Sequence, residues 1–275
     1  MCIYNSPKYT FNAISSILEH KCDLISEVIL VDDHSNYRTK KMLQDNFGQT
    51  KDIRIIRNTK NLGYTVSANL GLKEATSEFV LLLNSDTEVT SNWVLPMYEA
   101  MRDNPEIAVC GPLSNCASWQ SVPTLLDKNR NWKNNEIPSG MSLSTFALHL
   151  RNLFHGELVM IPFVNGFCSL IRMSAIKAVG YLDEINFPIG YGEENDLAIR
   201  LQISGWRLCI VPSAYVFHSK SQSFGPNRRE HLSRLGQISL VNKFGEDLIK
   251  DLTHAKNYKH INSIRERLVQ SLSSF

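Results

Sequence analysis

The chain has 275 residues, 43% hydrophobic and 20% charged, which is enough to bury a full core in one large domain. Its 29 Lys and Arg nearly balance its 27 Asp and Glu, which excludes a general nucleic-acid binder. Its six cysteines form no CxxC pair, and no apolar run reaches the roughly 18 residues that span a bilayer, so reduced thiols and a cytoplasmic location are expected, with no secretory signal.

Met1 to Pro7 reads as the end of a strand and its turn. Tyr9 to His20 is predicted to be a helix, with Phe11, Ile14, Ile17 and Leu18 on one face. A strand over Glu27 to Val31 runs into Asp32-Asp33-His34-Ser35. Two carboxylates at a strand's end are helix caps or ligand contacts, and capping alone needs only one. A helix over Tyr37 to Phe47 and a strand over Ile53 to Ile56 follow. Gly63 allows a turn into a helix from Tyr64 to Ala75, and a helix start of that kind can accept phosphate or ribose. Phe79 to Leu83 is a short apolar run bounded by polar residues, which reads as a buried central strand of a parallel sheet. It stops at Asn84-Ser85-Asp86-Thr87-Glu88. Hard oxygen ligands in that position suit Mg²⁺ or Mn²⁺ carrying a substrate phosphate; the alternative is a plain polar turn.

A helix over Trp93 to Asp103 and a strand over Ile107 to Gly111 come next. The alternation then stops from Pro112 to Pro162, which reads as a functional loop or lid, or as a surface insertion, with a helix over Ser142 to Phe154. Asn165 to Arg172 is a predicted strand, and Ser174 is expected to cap a helix that ends at Gly180. Glu193, Glu194 and Asp196 open an amphipathic helix that ends at Gly205, and three acids after two glycines exceed what capping needs. A strand over Trp206 to Val211 precedes Ala214 to His218, an apolar run ending in a histidine. Residues 227–275 read as two or three helices with nine Lys and Arg against five acids. Such a face is solvated, or rests on an anionic membrane surface.

The order of these pieces resembles the family 2 glycosyltransferases of GT-A fold. The matching residues are Val31-Asp32-Asp33-His34-Ser35, Asn61-Leu62-Gly63 through Asn69-Leu70-Gly71, Asn84-Ser85-Asp86 at the DxD position, Gly166 through Asp183-Glu184, and Gly192 to Leu197. The resemblance implies an α/β fold with a Rossmann-like, mostly parallel sheet flanked by helices. It places a catalytic domain over 1–226 and a helical extension over 227–275. It also implies a nucleotide-diphosphate sugar as donor and a hydroxyl on a glycan, lipid-linked or protein acceptor, with no nucleic acid as partner. Tyr4, Asn5, Asp32, Asp33, Asn61, Gly63, Asn69, Asn84, Ser85 and Gly166 would bind the donor. Asp86 would hold the Mg²⁺ or Mn²⁺, with His218 completing the shell and Glu88 replacing the carboxylate lost at Asn84. Glu194 would be the catalytic base, its pKa raised by Glu193 and Asp196. The family opens with a full strand, of which only Ile3-Tyr4-Asn5 remains here, so weak stability is expected. Asn84 and this short strand favour a second reading, an impaired relative that binds nucleotide or glycan without transfer.

Overall fold

Alternating apolar runs and amphipathic stretches do produce alternating strands and helices. The computed structural model describes residues 1–219, 226–254 and 258–273. The first half runs β1 (Cys2–Ile3), α1 (Pro7–Glu19), β2 (Val28–Asp32), α2 (Tyr37–Phe47), β3 (Ile53–Arg57), α3 (Tyr64–Glu74), β4 (Phe79–Leu83), β5 (Thr87–Glu88) and α4 (Leu95–Asp103). The second half runs β6 (Ile107–Leu113), α5 (Leu143–Leu153), β7 (Val159–Met160), β8 (Cys168–Arg172), α6 (Met173–Val179), α7 (Glu193–Ile203), β9 (Arg207–Tyr215), β10 (Phe217–His218), α8 (Pro226–Phe244), α9 (Glu246–Thr253) and α10 (Lys259–Leu272).

Among the described residues the strands form a three-stranded sheet, β1-β2-β3, a five-stranded sheet, β4-β8-β6-β9-β7, and a two-stranded β10-β5 pair, with a bridge from Cys2 to Asn84 linking the first two. The β1–β2, β2–β3 and β6–β9 pairs are parallel, as βαβ connections require. Phe79–Leu83 departs from expectation. It pairs antiparallel with β8, Leu81 opposite Leu170, and Phe79 to Leu82 are only half-buried. An apolar run fixes burial potential but not strand direction, and β8 returns from the far side of the sheet. Ser174 is not a cap either. The helix begins one residue earlier, at Met173, and no side-chain cap bond forms there.

Pro112 to Pro162 is more built than a lid. Ser114, Asn115, Gln120 and Ser121 are buried, and Ser142, expected inside a helix, caps α5 by accepting from Thr145 N–H at 3.1 Å. The basic tail is not simply a solvated face. Tyr258, Ile261, Ile264 and Leu268 of the α10 region belong to the principal hydrophobic cluster with Leu150, Leu201 and Ile210. Arg265 is buried and donates to Ser121 O at 2.9 Å and to Trp119 O, while the Tyr258 ring stacks on Trp119 at 3.9 Å. Arg267 grips Glu157 through two bonds of 2.7 Å. The expected boundary at 226/227 adjoins 220–225, and Lys256 of the tail lies in 255–257; both segments are outside the described residues.

Candidate active site

The carboxyl ends of β1 and β2 carry the residues expected to meet the donor. Their carboxylates are already engaged. Asp32 accepts from Ser35 N–H at 2.8 Å and pairs with Arg57. Asp33 accepts from Leu62 N–H at 2.7 Å, Gly63 N–H at 2.9 Å and Asn58 Nδ2 at 2.8 Å. Both aspartates are almost fully buried. Asp33 therefore ties the loop before α3 to the end of β2. Gly63 has φ +91°, and a Cβ there would fall 2.3 Å from Pro188 O, so only glycine fits that tie. Asn5 Oδ1 accepts from Asn36 N–H at 2.9 Å, Asn61 Nδ2 reaches Asp33 O at 3.3 Å, and Tyr4 is exposed. Asn69 lies elsewhere: its amide exchanges bonds with Leu182 N–H and O and reaches Glu184 at 3.1 Å. It anchors the loop after α6 and does not face the rim.

At the end of β4, Asn84 N–H is given to Phe167 O at 2.8 Å and Asn84 O accepts from Thr87 Oγ1, which sets the turn holding Ser85 and Asp86. Asp86 Oδ1 lies 3.2 Å from His218 Nε2. His218 Nδ1 faces Cys116 O at 3.0 Å, and a carbonyl only accepts, so Nδ1 carries the proton. Nε2 and Asp86 Oδ1 are then two acceptors in contact, an arrangement that needs a cation or proton between them. Cis ligands about 2.1 Å from Mg²⁺ or Mn²⁺ lie about 3 Å apart, so the pair fits such an ion. Glu88 does not join it. Thr87 pairs with His218 and Glu88 with Phe217 across β5 and β10, and alternation puts Glu88 on the opposite face. Among the described residues no group of three or more His, Cys, Asp or Glu is placed to hold a metal.

The start of α7 supplies the third part. A Cβ on Gly166 would meet the Glu194 carboxyl at 3.4 Å, so the absent side chain leaves room in front of it. Glu194 and Glu193 share a hydrogen bond, and Glu193 also accepts from Gly192 N–H at 3.0 Å. A cavity of about 30 Å³ lies beside both carboxyls, Tyr64 and Ser169. Burial, and then the neighbouring Glu194 charge, holds the Glu193 carboxyl well above the usual carboxylate range. Glu193 is thus held toward its neutral form and hydrogen-bonded to Glu194. Asp196 was expected to act on Glu194, but it is fully buried, bonded to Arg200 Nε at 2.7 Å and Lys243 Nζ at 2.5 Å. Asp196 thus pairs with those two cations and is not directed at Glu194.

A consequence is testable by pH. The folded state keeps the Glu193 proton that the unfolded chain releases near pH 4.3. The stability this contributes is complete below that pH and is lost as pH rises toward the folded value. Glu193→Gln is therefore expected to gain stability over the parent with rising pH, by up to about 1.4 kcal/mol per unit. Urea unfolding at pH 5 and pH 8 checks this; an equal difference at both would contradict it.

Several contributors carried no motif signal. Lys243 of α8 bridges Asp183, at 2.8 Å, and Asp196, joining the two acidic motifs through a helix outside both. The burial of Asp183 acts against its ionisation, yet the Lys243 and Asn186 bonds hold its carboxyl below the usual range. Asn115 accepts from His218 N–H at 2.7 Å and donates to His218 O at 3.1 Å, so the asparagine-rich segment orients the histidine. Gly236 of α8 packs where a Cβ would strike Tyr191 O at 1.7 Å, which lets α8 lie directly over the loop before Glu193.

An α/β domain with acidic groups gathered at the carboxyl ends of its strands has its ligand site there. Residues 1–180 match the family described as glycosyl transferase family 2, and the chain belongs to that family. It is 25% identical over 237 residues to the inactive polypeptide N-acetylgalactosaminyltransferase-like protein 5 of Macaca fascicularis, covering 81% of this chain and 51% of the relative. It is 26% identical over 229 residues to the N-acetylglucosaminyl-diphospho-decaprenol L-rhamnosyltransferase of Mycobacterium tuberculosis, covering 75% and 70%. The solved structure of GalNAc-T7 with UDP, GalNAc and Mn²⁺ superposes with a TM-score of 0.64 at 16% identity, covering 96% of this chain and 53% of the other, which shows a common fold. The chain spans about half the length of the first of these relatives.

Proposed function

We propose that the chain is an inverting glycosyltransferase that moves a sugar from a nucleotide-diphosphate sugar to an acceptor hydroxyl. The observation that carries this reading is the hydrogen-bonded Glu193–Glu194 pair, with half-buried Glu194 facing Gly166. Glu194 takes the proton from the acceptor hydroxyl as its oxygen attacks the anomeric carbon. The bond from that carbon to the diphosphate oxygen breaks on the opposite face, its electrons leave with the diphosphate, and the configuration inverts. Glu193 stays protonated and its hydrogen bond holds Glu194 in place. Asp86 and His218 would hold a divalent metal, which when bound supplies positive charge against the leaving diphosphate. The loop tied by Asp33 and the turn at Asn84 shape the donor side.

The relatives' names include a polypeptide and an N-acetylglucosaminyl-diphospho-decaprenol, and this reading allows either kind of acceptor. Of the basic residues in the tail, Arg265 is buried against Ser121 O, while Lys243 and Arg267 pair with Asp196 and Glu157 nearer the surface. No helix among the described residues is long and apolar enough to cross a membrane. The similarity to an inactive relative and the Asn84 turn favour one second reading, a binding protein without transfer.

The test is nucleotide-diphosphate release from UDP-, GDP- and dTDP-sugars with Mn²⁺ or EDTA. Release from one donor series, only with metal, is the expected result. No release from a folded protein that still binds a nucleotide would favour the second reading.

A further inference from the structure

The segment 183–192 leads into Glu193, and its last three residues are left-handed: Gly190 at φ +103°, Tyr191 at +67° and Gly192 at +143°. Tyr191 is not a glycine, and a side chain disfavours that conformation, so neighbouring structure has to hold it. The conformation matters to the site. Gly192 N–H is given to Glu193 Oε2 at 3.0 Å, and Glu193 is hydrogen-bonded to Glu194. The path of the backbone at Gly192 therefore sets where both carboxyls stand. The start of α3 gives the segment part of its support, through Thr65 Oγ1 to Phe187 O and the close approach of Gly63 to Pro188 O.

Helix α8 gives the rest. Leu240 and Lys243 follow Gly236 by four and seven positions, so the three share one face of that helix. Gly236 meets the left-handed stretch itself: a Cβ there would lie 1.7 Å from Tyr191 O. Leu240 is buried in a cluster with Phe187 of the segment and Ile199 of α7. Lys243 Nζ donates to Asp183 Oδ2 at 2.8 Å and to Asp196 Oδ1 at 2.5 Å. Asp183 opens the segment, its Oδ1 accepting from Ile185 N–H at 3.1 Å and Asn186 N–H at 3.0 Å. Asp196 lies in the helical turn just after the segment, its N–H given to Gly192 O at 2.8 Å. One ammonium thus ties the two ends of the segment together. Arg200 already pairs with Asp196 Oδ2 from within α7, so charge balance at Asp196 does not by itself call for a second cation from a distant helix.

We propose that this face of α8 is a latch on the 183–192 segment and that Lys243 is a positioning residue for sugar transfer. The latch holds Tyr191 and Gly192 left-handed, and through Gly192 it sets the Glu193–Glu194 pair against Gly166. This role rests on Glu194 acting as the base. A base displaced by about 1 Å loses about a hundredfold in rate. The donor-side groups at Asp33 and Asn84 lie on other elements, so the loss falls on turnover and not on donor binding.

The test compares the parent with Lys243→Met, which keeps the stem and loses the charge, and with Lys243→Arg, which keeps the charge. Steady-state transfer with Mn²⁺ and amide exchange are measured on all three. Lys243→Met is expected to lower kcat by at least about tenfold with the donor KM within about threefold of the parent. It is also expected to speed exchange at Gly190 and Gly192 by at least about tenfold, while Leu170, inside the five-stranded sheet, keeps its parental rate. Lys243→Arg is expected to restore much of both. Should Lys243→Met not fold, Asp183→Asn removes one of the two partners of the ammonium and is expected to change both readouts in the same direction. Parental kcat, parental exchange at Gly190 and Gly192, or a rise shared equally by Leu170 would each overturn the positioning role. A parent that transfers no sugar would remove the proposed function instead, and the latch would then stand or fall on the exchange rates.

Discussion

Replacing Glu194 with Gln is expected to lower sugar transfer by about 10² to 10⁴-fold while leaving donor affinity within about threefold. The substitution keeps the size and the hydrogen bond with Glu193 but removes the acidic group facing Gly166. The donor-side contacts come from the loop at Asp33 and the turn at Asn84, on other elements, so ground-state binding has no reason to fall. Steady-state rates together with calorimetric donor binding check this. A variant that transfers at the parental rate would remove Glu194 from the role of base.

Asp33→Ala is expected to act on the fold, costing about 3–5 kcal/mol. Its carboxylate accepts from two backbone N–H groups and one side-chain amide, and is itself buried. Removing it strands three donors at about 1–3 kcal/mol each, partly offset where the loop relaxes to water. Asp33→Asn would keep one acceptor oxygen and lose less. Urea unfolding of both variants measures the effect. Parental stability combined with lost donor affinity would make Asp33 a direct donor contact after all.

Much of the frame was legible because the signals were local. Apolar runs marked β2, β4 and β9, and the glycines before Glu193 marked an unusual helix start. His218 was identifiable as the residue closing an apolar run, though its partner Cys116 O, 102 positions away, was not. What a carboxylate binds is harder to read than where it stands. Asp33 serves backbone amides about thirty residues on, and Asp196 serves Lys243, and neither bond leaves a periodic trace. Glu88 is set apart from His218 because the register of β5 and β10 pairs Thr87 with His218 and Glu88 with Phe217. The strand direction of Phe79–Leu83 and the bracing of Trp119 by Arg265, 146 residues away, are products of tertiary packing that no window of sequence contains.

The anomeric configuration of the product tests the central claim most directly. Proton NMR of the reaction with the accepted α-linked donor, followed from the first turnover, reads it from the coupling at the anomeric centre. Single displacement with Glu194 as base predicts a β-linked product for an equatorial 2-substituent sugar, with α appearing only by slow mutarotation of free sugar. An α-linked glycoside from the start would contradict direct displacement and the role assigned to the Glu193–Glu194 pair.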